Sequence, residues 1–452
     1  MTLRPRRRVG PQKNPAAHSS LEVFRDLEQR WHEAVGALPL SDGTWRYSRR
    51  GQQSDPAQGW KIHLSATPLS AVEVFWRTFP ILHGQDVLFK VPVRLTLLSE
   101  MNSGLPYFSQ VGKFLTLYPR STAEALSLAS ALHVATRGIG GPEIPFDNRY
   151  RRNSLVYYRY GAFGLRKGAA GTGVILDPAG KAHKDRRAAQ CAVPPWLHDP
   201  FQKRRAKGRR LRGPIGEDYL AFKALTQRGK GGVYEAVDLS VSPARRVIVK
   251  EGRREGETDV FGRDGYARIK HEARVLRFLG RAEVPVPEIY ADFTQNGKRY
   301  LILEKIPGRS LLSRTRPQPA KPSWERAQKI LDQIAPLLSR IHAIGWVWRD
   351  CKPSHIFMHR GALRFIDFEG ACRIDDTQAL PWSSPNYVPP VYARRLSRRT
   401  GTLEDDYALG VIVFQFATGK FPPVGARGRA QLLNRINTPR DLRQEIERLL
   451  SA

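Results

Sequence analysis

The clearest pattern of hydrophobic and polar positions lies between residues 266 and 279. Four positions follow the spacing i, i+3, i+4, i+7 and so share one face of a helix, namely Glu272, Val275, Leu276 and Leu279. Gly280 comes directly afterwards, and glycine is a typical helix end. The pattern predicts an amphipathic helix whose buried face carries one carboxylate, Glu272.

Strand-like runs lie on both sides of this helix. The run 247–250 consists of three β-branched residues followed by Lys250, and the run 299–306 is also strand-like. We predict that Lys250 pairs with Glu272. The second run is typical of a strand that leads into a hinge, where the backbone at Glu304 and Ile306 would bind adenine.

Three charged residues further along have the order that phosphoryl transfer requires. Such a site needs a carboxylate beside the attacking hydroxyl, a cation near the transferred phosphate and a second carboxylate that holds Mg²⁺. Asp350, Lys352 and Asp367 supply these groups in that order. The sequence therefore predicts a protein-kinase-like phosphotransferase that uses ATP and Mg²⁺.

Other elements occur at the places that a kinase requires. Gly229, Gly231 and Gly232 form a glycine-rich turn before the Lys250 strand, where backbone N–H groups can approach phosphate oxygens. The run 383–390 resembles the end of an activation segment, and 406–411 with 418–420 resembles the buried helix of the larger lobe. Seven elements in this order predict a two-lobed kinase-like fold over residues 214–452.

Three positions depart from the usual kinase pattern. Trp348 stands where a histidine precedes the Arg-Asp pair, His355 stands at the second metal position, and Glu369 replaces the glycine of the metal turn. Imidazole is a poorer Mg²⁺ ligand than an amide oxygen. We predict metal binding by Asp367, Glu369 and His355, with Glu369 supplying the replacement oxygen. The alternative is a pseudokinase that binds nucleotide without turnover.

Composition and charge describe the remainder of the chain. The 452 residues are 41% hydrophobic and carry a formal net charge of +32, part of it in two acid-free runs. We interpret residues 1–20 as a basic disordered tail and 199–213 as a basic linker. The charge fits either an acidic partner or an Arg-rich composition with a solvated surface, whereas no spacing typical of specific nucleic-acid recognition occurs.

Cysteine usage and hydropathy indicate the compartment. The three cysteines lack Cys-x-x-Cys spacing, no apolar run reaches the length of a transmembrane helix, and the basic start lacks the apolar region of a signal peptide. These features predict a cytoplasmic protein without a transmembrane segment.

A second set of candidate residues lies upstream of the kinase-like part. The segment 60–68 alternates as a strand, which places Lys61 and His63 on one face. Further strand lysines and arginines follow among aromatic residues, namely Lys90, Lys113, Arg149 and Arg159. Arg151 is an equal candidate to Arg149. Several cations converging with one histidine are what a bound phosphate requires.

These upstream motifs give a family resemblance. Trp-Lys-Ile-His-Leu-Ser-Ala (60–66), Gly-Lys-Phe-Leu-Thr-Leu-Tyr-Pro (112–119) and Tyr-Arg-Tyr-Gly-Ala-Phe (158–163) resemble the front half of class III/IV lanthionine synthetases. The resemblance implies an α+β protein, with a phosphothreonine-lyase-like domain over 21–198 before the kinase-like domain. The zinc-dependent cyclase domain of that family is expected to be absent, since no Cys/Cys-His set follows.

The resemblance also implies a reaction. The kinase would phosphorylate Ser or Thr of a precursor peptide, and the lyase would eliminate phosphate to leave a dehydroamino acid. Lys61 would be the base and His63 the acid, while Lys90, Lys113, Arg149 and Arg159 would hold the phosphate. Tyr158 or Tyr160 would polarise the substrate amide. An acidic leader on the peptide and a separate cyclase are candidate partners.

Two other function classes fit the same residues. One is a regulatory Ser/Thr kinase, or a pseudokinase, whose N-terminal domain binds phosphopeptide without catalysis. The other is a lyase-fold effector or scaffold with an inactive kinase domain. ATP turnover and the effect of replacing Lys61 and His63 separate these from the bifunctional enzyme.

Overall fold

The computed structural model describes residues 20–164, 173–185, 193–202, 214–313, 318–376, 379, 382, 384–390 and 401–451. It combines helices with five antiparallel sheets, of which the two largest are one of seven strands near the N-terminus and one of five strands after residue 214. The predicted α+β fold class, with two domains in series, is confirmed. Residues 1–19 of the predicted tail (1–20) and 203–213 of the predicted linker (199–213) lie outside the described residues, as do Cys191 and Ser383. Ser20, the last residue of the predicted tail, instead begins the first helix.

The N-terminal domain places its helices against one face of the seven-stranded sheet. Its helices are α1 (Ser20–Gly36), α2 (Ala71–Gly84), α3 (Leu95–Ser103) and α4 (Thr122–Ala135). Its sheet strands are β1 (Leu40–Ser41), β2 (Trp45–Tyr47), β3 (Gln58–Leu64), β4 (Phe89–Pro92), β5 (Leu115–Leu117), β6 (Asn148–Arg149) and β7 (Val156–Ala162). A separate hairpin follows, formed by β8 (Val174–Leu176) and β9 (Ala182–Lys184).

Strand alternation divides this sheet into two faces. Ile62 and Leu64 of β3 are fully buried in a core that includes Phe75 of α2 and Leu128 of α4. Because side chains alternate along a strand, the odd-numbered residues of β3 point to the opposite face. That second face carries Lys61 and His63. The helices pack against the first face, so Lys61 and His63 make their contacts on the other side of the sheet.

The second domain begins with a five-stranded sheet in the order β10-β11-β12-β14-β13. The elements of this smaller lobe are β10 (Tyr219–Arg228), β11 (Gly231–Asp238), β12 (Arg245–Gly252), α5 (Gly265–Arg281), β13 (Ile289–Gln295) and β14 (Lys298–Glu304). The larger lobe contains β15 (Arg309–Ser310), α6 (Trp324–Ala343), β16 (Trp346–Val347), β17 (Ile356–His359), β18 (Ala362–Phe365), β19 (Cys372–Arg373), α7 (Leu403–Thr418), α8 (Ala426–Arg435) and α9 (Arg440–Leu450).

Two predicted helices are confirmed in this domain. Helix α5 begins at an Asp264 cap, whose side chain accepts a hydrogen bond from the backbone N–H of Ala267, and it buries Glu272 completely. Helix α7 is buried from Ala408 to Ala417 and packs in the core of the larger lobe. Among the described residues, no helix combines the length and apolar character needed to cross a membrane.

Candidate active sites of the two domains

The predicted pair between strand β12 and helix α5 forms in the smaller lobe. The Nζ atom of Lys250 lies 2.6 Å from a Glu272 oxygen and 2.9 Å from Oδ1 of Asp367. Burial alone would lower the pKa of Lys250, but Asp367 and Glu272 outweigh it and raise that pKa. Lys250 is therefore a protonated lysine held between the two lobes.

A second cluster surrounds Asp350 in the larger lobe. Lys352 Nζ lies 3.0 Å from both carboxylate oxygens of Asp350. The Ser384 hydroxyl donates to Oδ1 of Asp350 at 2.7 Å and accepts from Lys352 Nζ at 2.6 Å. The Ser384 hydroxyl therefore bridges the Asp350 carboxylate and the Lys352 ammonium group, which is a position that a hydroxyl group can occupy.

Three described side chains could hold a divalent cation together. Asp350, His355 and Asp367 offer ligand atoms that all lie within 4.8 Å of one another. Burial lowers the pKa of His355, which favours its neutral, ligating form. Two carboxylates and one imidazole fit a divalent metal, although Mg²⁺ prefers oxygen to nitrogen.

Glu369 lies elsewhere, at the glycine-rich turn. Its carboxylate accepts from Lys230 Nζ at 2.5 and 2.6 Å, and Arg268 approaches it to 3.7 Å. The structure thus brings His355 and Asp367 together and ties Glu369 to a different loop. A ligand role for Glu369 stays a prediction, and it would require this salt bridge to open.

Buried contacts hold in place the turns that carry Asp350 and Asp367. Asp405 of α7 accepts the backbone N–H groups of Trp348 and Arg349 at 2.8 and 2.7 Å. Arg349 and Asp367 both have positive φ angles, 70° and 66°, so these turns need outside support. Trp348 supplies part of it, because its ring stacks on Phe365 and Phe368 and its Nε1 donates to the carbonyl of Asp367.

The glycine-rich turn is a tight hairpin. Arg228 pairs with Gly231 across the strands, which leaves Gly229 and Lys230 as the turn. Gly231 has a φ of +152°, and a Cβ there would lie 1.6 Å from the carbonyl oxygen of Glu251. Only glycine fits at this position, and a Cβ at Gly232 would lie 2.4 Å from the hydroxyl of the buried Tyr234.

The predicted hinge residues follow the end of β14. Glu304 pairs in register with Val247 of β12, and its side chain forms a 2.7 Å salt bridge with Arg364. Ile306 is buried just beyond the strand. The Glu304 carboxylate is thus engaged with the larger lobe, and the backbone N–H of Glu304 donates to the carbonyl of Glu288 at 2.9 Å. Adenine binding by the backbone of Glu304 and Ile306 stays a prediction.

The N-terminal sheet aligns the other candidate residues in one row. Across the strands, Lys90 opposes Thr116, Thr116 opposes His63, His63 opposes Tyr157, and Tyr157 opposes Arg149. Directly opposed residues of antiparallel strands project from the same face. Lys61 and Arg159 oppose each other two residues further along, on the same face.

The face of the sheet that carries Lys61, His63, Lys90, Arg149 and Arg159 is called the cationic face, and most of it is buried. Lys61, His63, Lys113 and Arg159 are at most 9% exposed. Lys90 is half-buried with its Nζ 4.0 Å from the centre of the Trp45 ring, and Arg149 Nε donates to the Tyr157 hydroxyl at 2.6 Å. Arg151, the alternative to Arg149, instead contacts the neighbouring ring of Tyr150.

Asp147 lies at the centre of the face and is not suggested by any sequence motif. Its carboxylate is 2.6 Å from His63 Nδ1 and 3.5 Å from Lys113 Nζ. Burial alone would raise the pKa of Asp147, but Lys113 and His63 hold it well below its usual range. Burial lowers the pKa of His63 to about 4, against the opposing effect of Asp147.

A second carboxylate missed by the sequence contacts Arg159. Asp185, which follows the β8–β9 hairpin, forms a salt bridge with the Arg159 guanidinium and accepts the backbone N–H of Ala162 at 3.2 Å. The Arg159 guanidinium is therefore already paired with a carboxylate of the chain. Neither Asp147 nor Asp185 could be found from spacing, because both reach the face from loops outside the aligned strands.

Tyrosine placement differs from the prediction. Tyr158 lies on the helical face, where it donates to Asp199 at 2.8 Å and stacks on Phe201. Tyr160 shares that face because it is two residues away on the same strand. Tyr157 projects from the cationic face, and burial raises its pKa to about 12, so its hydroxyl stays protonated.

Comparison with known proteins matches both halves of the chain. Residues 25–212 match the family described as "RamC, N-terminal domain", and residues 223–449 match "Protein kinase domain". A probable SapB synthase of Streptomyces coelicolor is 28% identical over 88% of this chain and 44% of its own length. The serine/threonine-protein kinase PknA of Nostoc sp. is 30% identical over 45% of this chain and 37% of its own length.

The chain spans less than half the length of these relatives. The two matches follow one another in the order that the resemblance to class III/IV lanthionine synthetases implies, and they confirm that resemblance at the level of domain content. This chain belongs to the protein kinase family and carries a RamC-type N-terminal domain before its kinase domain.

Proposed function

We propose that the chain is a bifunctional peptide dehydratase. The kinase domain transfers the γ-phosphoryl group of ATP to a Ser or Thr hydroxyl of a precursor peptide, and the N-terminal domain then eliminates that phosphate. The observation that carries the proposal is the buried cationic face, where Lys61, His63 and Arg159 share one side of the sheet and Lys113 approaches the same carboxylate, Asp147, as His63 does. Asp147 and Asp185 already pair with His63, Lys113 and Arg159, and a concentration of basic groups of this kind favours the binding of a phosphate.

Each residue of the kinase site has a role in phosphoryl transfer. Asp350 accepts the proton of the substrate hydroxyl, Lys352 balances charge on the transferred group, and Lys250 holds the ATP phosphates. Asp367 and His355 would hold Mg²⁺, which neutralises phosphate charge when bound, and Glu369 would join them if its salt bridge with Lys230 opens. Gly231 and Gly232 would present backbone N–H groups to the phosphates, whereas the N–H of Gly229, the third glycine predicted for this role, donates to the carbonyl of Ser103 at 3.0 Å. Glu304 and Ile306 would bind adenine through the backbone.

The elimination step needs one base and one acid. Lys61 takes the Cα proton, the Cβ–O bond breaks, and a C=C bond forms between Cα and Cβ. His63 gives a proton to the departing phosphate oxygen, while Lys90, Lys113, Arg149 and Arg159 hold that phosphate. Because burial lowers the pKa of His63 to about 4, the free enzyme holds it neutral at pH 7. A phosphate dianion beside it would raise that pKa and supply the protonated acid.

The partners follow from this reaction. We propose a precursor peptide that contains Ser and Thr, with an acidic leader that complements the net charge of +32. A separate cyclase would act on the dehydrated product, and cytoplasmic reaction conditions would keep the peptide thiols reduced.

The direct test is the mass of a Ser/Thr-containing precursor peptide after incubation with the full chain, ATP and Mg²⁺. We expect species that have each lost one water per modified residue, with phosphopeptide seen only as an intermediate. Phosphopeptide that accumulates and persists would instead show a kinase without a lyase.

That second outcome describes the competing function, a regulatory Ser/Thr kinase whose N-terminal domain binds phosphopeptide. The relatives that favour it are serine/threonine-protein kinases, among them pkn2 of Myxococcus xanthus, 30% identical over 44% of this chain and 25% of its own length. In that case, replacing Lys61 and His63 would change peptide binding but no product mass.

Replacing Asp147 by Asn should slow elimination about tenfold to a hundredfold and leave phosphorylation unchanged. The Asp147 carboxylate lies 2.6 Å from His63 Nδ1 and opposes the effect of burial on His63. Without it, the pKa of His63 falls below about 4, so less of the acid is protonated at a given pH. The pH at which kcat/KM for supplied phosphopeptide is half-maximal should therefore move to a lower value.

The pH profile separates this positioning role from a structural one. A variant that loses activity equally at every pH, without movement of the profile, would show that Asp147 only supports the fold. Asp177→Asn is the matched control, because Asp177 pairs with His183 in the same domain, at the β8–β9 hairpin and away from the row of opposed residues.

A further inference from the structure

The glycine-rich turn of the kinase is in direct contact with the N-terminal domain. The backbone N–H of Gly229 donates to the carbonyl of Ser103 at 3.0 Å, at the C-terminal end of α3. A Cβ at Gly229 would lie 1.7 Å from the carbonyl oxygen of Asn102, and its next-nearest atoms also belong to α3. The tip of the nucleotide loop therefore rests on the backbone of the other domain.

Asn102 connects this contact to the cationic face. It is 1% exposed, and its side-chain amide donates to the carbonyl of Ala66 at 2.9 Å and accepts from the N–H of Gly112 at 3.0 Å. Ala66 follows strand β3, which carries Lys61 and His63, and Gly112 precedes Lys113. One buried side chain thus ties together two segments of the lyase-like face, and its own carbonyl meets the kinase loop.

A second contact runs in parallel through Arg253. Its backbone N–H donates to the carbonyl of Lys230 at 2.8 Å, and its guanidinium donates to the carbonyl of Arg228 at 3.2 Å, so it holds both ends of the turn. The same guanidinium lies 5.7 Å from the ring of Phe108 in the N-terminal domain. Phe108 contacts the ring of Phe146, the residue before Asp147.

We propose that the end of α3 positions the nucleotide loop, with Asn102 as the positioning residue, and that it couples the ATP site to the lyase face. The proposal rests on the two-step function above. Coupling of this kind is reciprocal for binding, since any change that one ligand makes to the other's affinity is returned equally. The ATP site and the cationic face then share one interface. A substitution in the nucleotide loop alters elimination, and a substitution at the end of α3 alters phosphorylation.

A kinase-loop substitution that affects the lyase provides the sharpest test. Gly229→Ala places a methyl group against Asn102 and should displace the segments that Asn102 holds, at Ala66 and Gly112. We expect elimination from a supplied phosphopeptide, measured without nucleotide, to slow about fivefold or more. A turn with no link to the lyase would leave this rate unchanged, because the assay contains no ATP.

Gly280→Ala is the control for a glycine-to-alanine change in the kinase domain, since a Cβ at this α5 residue would meet no described atom outside its own helix within 4 Å. It should leave both the KM for ATP and the rate of elimination from supplied phosphopeptide at their wild-type values. Equal elimination rates for Gly229→Ala, Gly280→Ala and wild type would overturn the proposal.

The same coupling is measured from the other side with Asn102→Ala. Asn102 lies in the N-terminal domain, but this variant should raise the KM for ATP in peptide phosphorylation about fivefold or more, with a smaller change in kcat. Thr78→Ala removes a buried hydroxyl that donates within α2, and it controls for general destabilisation of that domain. An ATP KM that is the same for Asn102→Ala, Thr78→Ala and wild type would contradict the proposal.

Failure of the coupling and failure of the proposed function give different results. A wild-type chain that phosphorylates but never eliminates refutes the dehydratase, whereas a wild type that eliminates alongside insensitive variants refutes only the coupling. If Gly229→Ala fails to fold by thermal unfolding, the ATP KM of Asn102→Ala decides the question alone.

Discussion

Replacing Asp350 by Asn should abolish peptide phosphorylation, lowering its rate by about three orders of magnitude or more. The physical reason is that positioning and charge balance supply most of the catalysis in phosphoryl transfer. In this structure Asp350 holds Lys352 at 3.0 Å and accepts the Ser384 hydroxyl at 2.7 Å, so one carboxylate organises both the cation and the hydroxyl position. Asn is similar in shape but lacks the charge. The measurement is the initial rate of phosphopeptide formation by mass spectrometry.

The same variant should still dehydrate a peptide that is supplied already phosphorylated, because elimination uses no nucleotide. Asp332→Asn is a suitable control, since Asp332 lies on the surface of α6 and only accepts from Gln328. Phosphorylation by Asp350→Asn at the wild-type rate would remove the kinase assignment. Loss of both activities in a folded protein would show that Asp350 also acts on the lyase face.

Replacing His63 or Lys61 by Ala should leave phosphorylation intact and block elimination. General acid and base groups typically contribute about 10²–10⁴-fold each, so phosphopeptide should accumulate in place of the dehydrated product. Both residues are buried on one face of β3, where Asp147 contacts His63 and Arg159 opposes Lys61. The measurement is the time course of product masses, in which each blocked site is heavier by one HPO₃ group.

Three buried or half-buried lysines share this face, so the base is identified by comparing them. Lys61→Ala should reduce the maximal elimination rate, whereas Lys90→Ala and Lys113→Ala should mainly raise the KM for phosphopeptide if they hold the phosphate. Wild-type elimination by Lys61→Ala, with a lost maximal rate in Lys90→Ala or Lys113→Ala, would transfer the base role to that lysine. His133→Ala is the control for His63→Ala, because His133 lies on α4 and contacts Ser154.

Local sequence determined the elements and the order of the candidate residues. The spacing of Glu272, Val275, Leu276 and Leu279 requires one helical face, and the buried helix α5 follows it. Alternation along residues 60–64 likewise put Lys61 and His63 on one side of β3, because neighbouring residues of a strand point to opposite faces. These predictions held because they depend on geometry within one element.

Tertiary structure decided what those elements meet. Strand register aligned Lys90, His63 and Arg149 in one row and placed Tyr157, rather than Tyr158, beside them. Loops place Asp147 beside His63 and Asp185 beside Arg159, and Glu369 forms a salt bridge with Lys230 of the glycine-rich turn. The contact of Gly229 with Asn102 joins residues more than a hundred positions apart. Such contacts depend on how separate elements pack, and no spacing within one segment encodes them.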